Sequence, residues 1–214
     1  MQMYNRIRFF FLVLFSPVLL GEEEMVVPME SDYYSITTIP LPEGEVIEVS
    51  GIEILPGGRV AISSRRGDIF IAKDILGEEP LPVWTLFARG LHEVLGIAWK
   101  DGWLYATQRP EVTRIRDSNG DGRADVFETL ADDWGIMGDY HEYAFGTRHD
   151  ENGDIWVVLC LTGSSKADEK SPFRGWCMRI TPDGECIPTG YGIRSPGGIG
   201  FNHLGDVFYC DNEG

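Results

Sequence analysis

Positive charge is what this sequence has least of. Only 18 Lys and Arg stand against 34 Asp and Glu, a formal charge of −16 over 214 residues. A field of that sign repels nucleic-acid phosphates and anionic headgroups at long range. It argues against nucleic-acid partners and leaves neutral ligands, such as sugars and other alcohols, or cations. Cysteine is sparse as well. Cys160, Cys177, Cys186 and Cys210 form no CxxC pair, so a zinc knuckle, a thioredoxin-like dithiol and a CxxCH haem attachment are not indicated. Two readings stay open for them: one of three disulfide pairings in an oxidising compartment, or buried free thiols on strands. No helical period sustains itself after the first twenty-one residues, and apolar content of 43% argues against wholesale disorder.

A long apolar run is missing too. The one extended stretch opens the chain as MQMYNRIRFFFLVLFSPVLLG, with Arg6 and Arg8 ahead of Phe9–Phe15 and a continuation past Pro17 to Leu20. It is short for a transmembrane helix, and Glu22, Glu23 and Glu24 follow at once. Residues 1–21 therefore have the shape of a signal peptide, and a periplasmic or secreted protein is expected. Neither an Ala-x-Ala site nor a lipobox cysteine is visible. An uncleaved N-terminal anchor is the alternative, and the only membrane association expected. Residues 22–48 form an extended, proline-punctuated segment, and residues 49–214 carry the fold.

Within residues 49–214 a single pattern recurs: a small residue, an apolar pair, a Gly-containing turn, then an alternating apolar run. The copies are GIEILPGGRVAIS from Gly51, GIAWKDGWLYATQ from Gly96, YAFGTRHDENGDIWVVL from Tyr143 and GGIGFNHLGDVFYCD from Gly197, spaced 45, 47 and 54 residues apart. Each reads as two short strands joined by a tight turn, because Pro56-Gly57-Gly58, Asp101-Gly102 and Asn152-Gly153 supply the positive backbone angles that hairpins need. Asp68–Ala72, Val112–Arg116 and Trp176–Thr181 alternate apolar with polar side chains and read as further strands. A period in the forties with about four strands per unit is the signature of β-propeller blades. The prediction is an all-β, incomplete propeller of about three and a half blades.

Three constellations carry chemistry. Asp117-Ser-Asn119-Gly-Asp121-Gly122-Arg-Ala-Asp125-Val-Phe-Glu128 fits the D-x-[DN]-x-[DN]-G-x5-E calcium-loop pattern at every specified position. Calcium takes six to eight oxygens; Asp117, Asn119, Asp121, Asp125, the carbonyl of Arg123 and a two-toothed Glu128 would supply them. The flanks read as strands, so this is a loop between outer strands. The alternative is a solvated Asp/Asn/Gly turn. The second constellation is Asp139-Tyr-His141-Glu142, at the entrance to the innermost strand of the third unit, where a histidine beside a carboxylate can act as a base. The third is Gly192-Ile-Arg194-Ser195-Pro196-Gly197-Gly198, which enters the fourth unit at the equivalent place. Arg194 offers a fixed fork of donors, or else pairs with a local acid such as Asp211. His92-Glu93 enters the second unit similarly. His149 and His203 fall in hairpin turns, where solvent is expected around them.

G-x-R-x-P-x-G-[IL]-x-F followed by G-[DE]-[LV]-[FWY] resembles the pattern of soluble glucose/sorbosone dehydrogenases, six-bladed propellers that use pyrroloquinoline quinone (PQQ). That resemblance implies that His141 is the base toward a sugar hydroxyl and that Arg194 contacts the quinone. The exported region is also similar to the membrane-bound-dehydrogenase-like propellers of planctomycete-type bacteria. Two departures stand out: Arg194-Ser195-Pro196-Gly197 replaces Arg-Asn-x-Gln, and Asp211-Asn212-Glu213-Gly214 replaces Glu-His-Gly. The expected function is oxidation of an aldose or another alcohol. The alternatives are a non-catalytic propeller that binds carbohydrate or protein, with calcium as a structural clip, and a calcium-dependent lactonase.

Overall fold

Alternating side chains and glycine turns at short intervals leave each unit one economical solution, an antiparallel meander of four strands. A computed structural model shows that arrangement and describes residues 27–77, 79–161 and 171–212. The signal-peptide expectation for residues 1–21 lies outside them. The chain divides into two units, residues 1–36 and 37–214. In the first, Glu30–Asp32 makes one turn of 3-10 helix, and the Asp32 carboxylate accepts the Met29 amide at 2.9 Å.

The second unit holds all the strands. The first blade is β1 (Val49–Leu55), β2 (Arg59–Ser64), β3 (Ile69–Lys73) and β4 (Val83–Ala88), hydrogen-bonded in sequence order. The second is β5 (Gly96–Lys100), β6 (Trp103–Thr107), β7 (Val112–Arg116) and β8 (Val126–Ala131). The third is β9 (Ala144–His149), β10 (Ile155–Leu159), β11 (Trp176–Ile180) and β12 (Cys186–Tyr191). The fourth is the hairpin β13 (Pro196–Phe201) and β14 (Val207–Asp211). The first strands of consecutive blades lie side by side, β1 against β5, β5 against β9 and β9 against β13. They form the inner wall of an arc, so the protein is a partial β-propeller of three and a half blades, as its repeat predicts. Among the described residues no helix is long and apolar enough to cross a membrane.

The turns work for a local reason. Asp101 and Gly102, between β5 and β6, both take positive φ, +48° and +85°, the two-residue geometry whose twist matches that of the strands it joins. Between blades the sheets pack face to face. Ile69, Ile97, Leu104 and Ile115 are buried between the first and second blades, and Ile155, Leu159, Met178 and Ile180 between the second and third. Each such side chain contributes about 1.5–3 kcal/mol by leaving water. The closest approach is at the axis, where a Cβ on Gly96 would lie 1.4 Å from the Gly146 carbonyl oxygen. Only glycine lets β5 and β9 meet there. The free face of the first blade is partly covered by the segment before β1. Ile39 and Ile47 pack on Val60 and Ile62, and the Trp84 indole donates to the Pro40 carbonyl at 2.9 Å. Ile52 and Ile54 on β1 remain bare, 56% and 65% exposed.

Candidate functional site

At the end of the arc where the innermost strands begin, the blades are tied by alternating charges. Glu48 and Glu93 stand three residues ahead of the axial glycines Gly51 and Gly96, and Glu142 four ahead of Gly146. Each of the first three blades also places an arginine in the turn between its second and third strands: Arg65, Arg109 and Arg174. Arg65 reaches Glu48 at 2.6 Å and, in the next blade, Glu93 at 3.1 Å; Glu93 in turn holds Arg109 at 2.9 Å. Hydrogen bonds from Arg66 and Arg65 hold the Glu48 carboxyl below its ordinary pKa, but these outer pairs are solvated and contribute little stability.

Nearer the third blade the belt is buried and its role changes. Arg109 donates to the carbonyls of Asp139, Tyr140 and Glu142, and its guanidinium lies 5.1 Å from the centre of the Tyr143 ring. The Glu142 carboxylate, fully buried, accepts the amides of Met137, Gly138 and Asp139 at 2.7, 2.8 and 3.0 Å. Arg174, also buried, donates to Gly135 O at 2.7 Å and Tyr143 O at 3.2 Å and lies 4.0 Å from Glu142. Burial pushes its pKa down to about 10, against the pull of Glu142. The segment 135–143 is thereby pinned through its own backbone.

That pinned segment carries His141. Its amide donates to Asp139 Oδ1 at 3.0 Å, and its Nδ1 sits 3.6 Å from the same oxygen. The Tyr140 ring meets it edge-on at 5.0 Å, and the side chain is half open to solvent. Arg194 enters the fourth blade three residues ahead of Gly197. By register, Ser195 occupies the belt position that Glu48 holds in the first blade, and Arg194 lies one residue before it. The Asp211 carboxylate accepts the amides of Arg194 and Ser195, each at 2.7 Å, so the residue that departs from the dehydrogenase pattern positions the Arg194 turn. The Arg194 carbonyl accepts the Cys160 thiol at 2.8 Å. Burial raises the pKa of that thiol.

Neither His141 nor Arg194 lines the axial cavity or its mouth, which is walled by Glu48, Val49, Ser50, Arg65, Leu95, Phe145 and Gly197. Sequence reasoning named His141 with Glu142 beside it, and Arg194, but missed Arg109 and Arg174 as supports of the His141 segment. The signal was present: a Glu ahead of each of the first three axial glycines and an Arg in each second turn, legible once the copies are aligned.

The acidic loop lies between β7 and β8, as expected for outer strands. Asp117 accepts the amides of Gly120 and Gly122, Asn119 that of Asp121, and Asp121 that of Arg123, at 2.7–2.9 Å. Asp125 is turned to Ser118, whose amide and hydroxyl keep its carboxyl below the ordinary pKa. Glu128 sits on β8 directly across from Arg114 and pairs with it at 2.6 Å. Among the described residues no three His, Cys, Asp or Glu side chains gather as a metal cage. The four cysteines are free thiols, Cys160 and Cys177 buried and Cys210 exposed. Burial, with Asp133 beside it, pushes the Cys186 thiol up to about 12. His149 differs from its expectation. It closes β9, and its ring packs edge-on against Tyr105 at 4.7 Å and makes a 3.2 Å contact with Gly153 O, because the turn folds back against the second blade. His203 is exposed, as its turn suggested.

The family model described as "Domain of unknown function (DUF7133)" matches residues 55–214. No curated protein matches the sequence. Several solved structures share the fold. The PQQ-bound aldose sugar dehydrogenase of Streptomyces coelicolor superposes with a TM-score of 0.58 at 21% identity, over 77% of this chain and 56% of its own. The PQQ domain of pyranose dehydrogenase from Coprinopsis cinerea gives 0.63 at 14%, over 78% and 44%. A gluconolactonase of Xanthomonas campestris gives 0.56 at 14%, over 81% and 58%. The chain thus spans about half the length of these neighbours, and the likeness is one of fold.

Proposed function

The chain belongs to the DUF7133 family, and from its propeller fold and the geometry above we propose that it is the dehydrogenase-like portion of an exported protein that oxidises an aldose or another alcohol. The observation that carries this reading is a half-exposed histidine at the entrance to an innermost strand, on a segment held rigid by Arg109, Glu142 and Arg174.

In this reading His141 is the base. With Nδ1 turned toward Asp139, Nε2 is the atom that takes the proton of a substrate hydroxyl, and the fixed segment keeps the imidazole from wandering. Asp139 and Asp211 are positioning residues, one for the ring and one for the Arg194 turn. The donor set, a guanidinium and an imidazole from neighbouring blades, fits an anionic quinone such as PQQ, and Arg194 would hold it. When bound, PQQ supplies the two-electron acceptor for the alcohol carbon. Export rests on the N-terminal segment. A calcium ion at Asp117, Asn119, Asp121 and the Arg123 carbonyl completes the proposal. Its shell closes only if Asp125 and Glu128 leave Ser118 and Arg114.

One observation favours a second reading, a non-catalytic carbohydrate- or protein-binding propeller: Ser195-Pro196-Gly197 offers no side-chain amide beside Arg194. Reconstitution of the full-length protein with PQQ separates the two. Quinone binding is followed by absorbance, and dye reduction is run on a panel of aldoses and alcohols. Expected is turnover that His141→Ala lowers by at least about 100-fold, the usual contribution of a general base, with quinone binding intact. Arg194→Ala is expected to weaken quinone binding itself. Absence of quinone binding, or two variants equal to wild type, defeats the enzymatic reading.

A further inference from the structure

Along the axis lies a cavity of about 280 Å³, walled by the innermost strands of all four blades. Five glycines, Gly51, Gly96, Gly146, Gly197 and Gly198, leave its wall largely bare backbone, and Arg148 is the one charged side chain lining it. Arg148 arrives there by an irregularity. The ladder between β9 and β10 slips at Trp156/Val157, which leaves Thr147 as an extra residue between Gly146 and Arg148. Thr147 takes φ +87°, a conformation that β-branched residues rarely adopt. It is fully buried and bonded through its hydroxyl to that of Thr107 in the neighbouring blade. A strained residue held by a second blade, just before an arginine aimed at a cavity, is the kind of outlier from which a function is inferred.

The guanidinium is only half used. All its hydrogen bonds leave from Nη1, to Ile97 O and Thr147 O at 3.3 Å and to Glu53 Oε2 at 3.5 Å. Nε and Nη2 have no partner among the described residues, and the side chain is 46% exposed. The Glu53 contact sits at the outer limit of a hydrogen bond, while the other oxygen of Glu53 takes the Trp99 amide at 3.2 Å. One edge of the fork is thus open to a two-toothed acceptor, the geometry a carboxylate matches. The chain's net negative charge opposes an anion only weakly here, since charges beyond about 8 Å are screened at physiological salt.

We propose that the axial cavity binds a small carboxylate, held by the open edge of Arg148 and the bare glycine backbone, in place of the loose contact with Glu53. The site is separate from His141 and Arg194, and it stands whether or not the protein oxidises sugars. The test is calorimetric titration of the full-length protein, without quinone and with EDTA present, at constant ionic strength. The probes are sodium gluconate, acetate and the neutral sugar glucose. Gluconate and acetate are expected to bind saturably and glucose not at all. Arg148→Lys, which keeps the charge but loses the fork, should weaken gluconate at least tenfold. Glu53→Gln, which removes the competing carboxylate, should tighten it severalfold, with circular dichroism confirming that both variants fold. The proposal is overturned if neither wild type nor Glu53→Gln binds gluconate saturably, if glucose binds as well as gluconate, or if Arg148→Lys binds like wild type.

Discussion

His149 shows how one residue can carry a pH dependence. Its ring is packed against Tyr105, and its Nε2 is buried without a partner among the described residues. Burial is the largest influence and lowers its pKa from 6.5, against the Gly153 carbonyl and Asp150. The unfolded chain therefore takes up the proton at higher pH than the folded one. Stability is greatest above pH 6.5 and falls as the pH drops below it, at up to about 1.4 kcal/mol per pH unit. Asp125, Asp150 and Asp183 have lowered pKa values, so their contributions are whole above 3.8 and decline only as the pH falls below it. Thermal unfolding midpoints are thus expected to fall between pH 7 and pH 5, and His149→Gln should flatten that slope. An equal slope in the variant would assign the dependence elsewhere. Glu142 and Arg174 are the other single residues on which much rests. Both are fully buried, and removal of either strands a charge in the interior.

At the scale of elements, the loop between β7 and β8 is the sharpest case of a motif that can be folded without its ligand. Its Asp and Asn side chains cap the loop's own amides, so the turn is self-supporting. Calcium must therefore displace the Asp125–Ser118 and Glu128–Arg114 contacts, both at the surface and inexpensive to break. Millimolar calcium is expected to raise the unfolding midpoint by several degrees, through preferential binding to the folded state, and a chelator to reverse it. Glu128→Gln should reduce the rise while leaving the metal-free midpoint nearly unchanged. A midpoint indifferent to calcium would leave the loop a solvated turn. The segment 135–143 is the opposite case. It contains no strand, yet Arg109, Glu142 and Arg174 give it more fixed partners than many strands have.

For the whole molecule the arc has two apolar flanks. On the first blade Val49, Ile52 and Ile54 are 53%, 56% and 65% exposed, and on the fourth Phe208 and Tyr209 are 58% and 44% exposed. Exposed apolar side chains at the free edges of a sheet are candidate association surfaces. Sedimentation velocity on residues 37–214 is expected to show concentration-dependent association. Ile54→Lys should reduce it, since that side chain is 65% exposed on β1. A monomer at all concentrations would show that the flanks are too dispersed to act as a patch.

The order of amino acids sets the local grammar of the blades. The four copies became the first hairpins, and Val112–Arg116 became β7 at the same residues, because alternation and glycine turns act over a few neighbouring positions. The outer strands Val83–Ala88, Val126–Ala131 and Cys186–Tyr191 were implied by the period but not located, since their half-exposed residues alternate weakly. His141 and Arg194 were legible as residues at strand entrances. Their surroundings were not: that Arg109 grips the His141 segment, that Asp211 holds the Arg194 turn and that Glu128 faces Arg114 depend on which side chains meet across sheets. The Thr147 bulge and the Arg148–Glu53 contact, spanning 95 positions, were decided only when the blades closed around an axis. Periodicity is written in the chain, but contacts between blades follow from register and axial packing, which no short stretch of sequence contains.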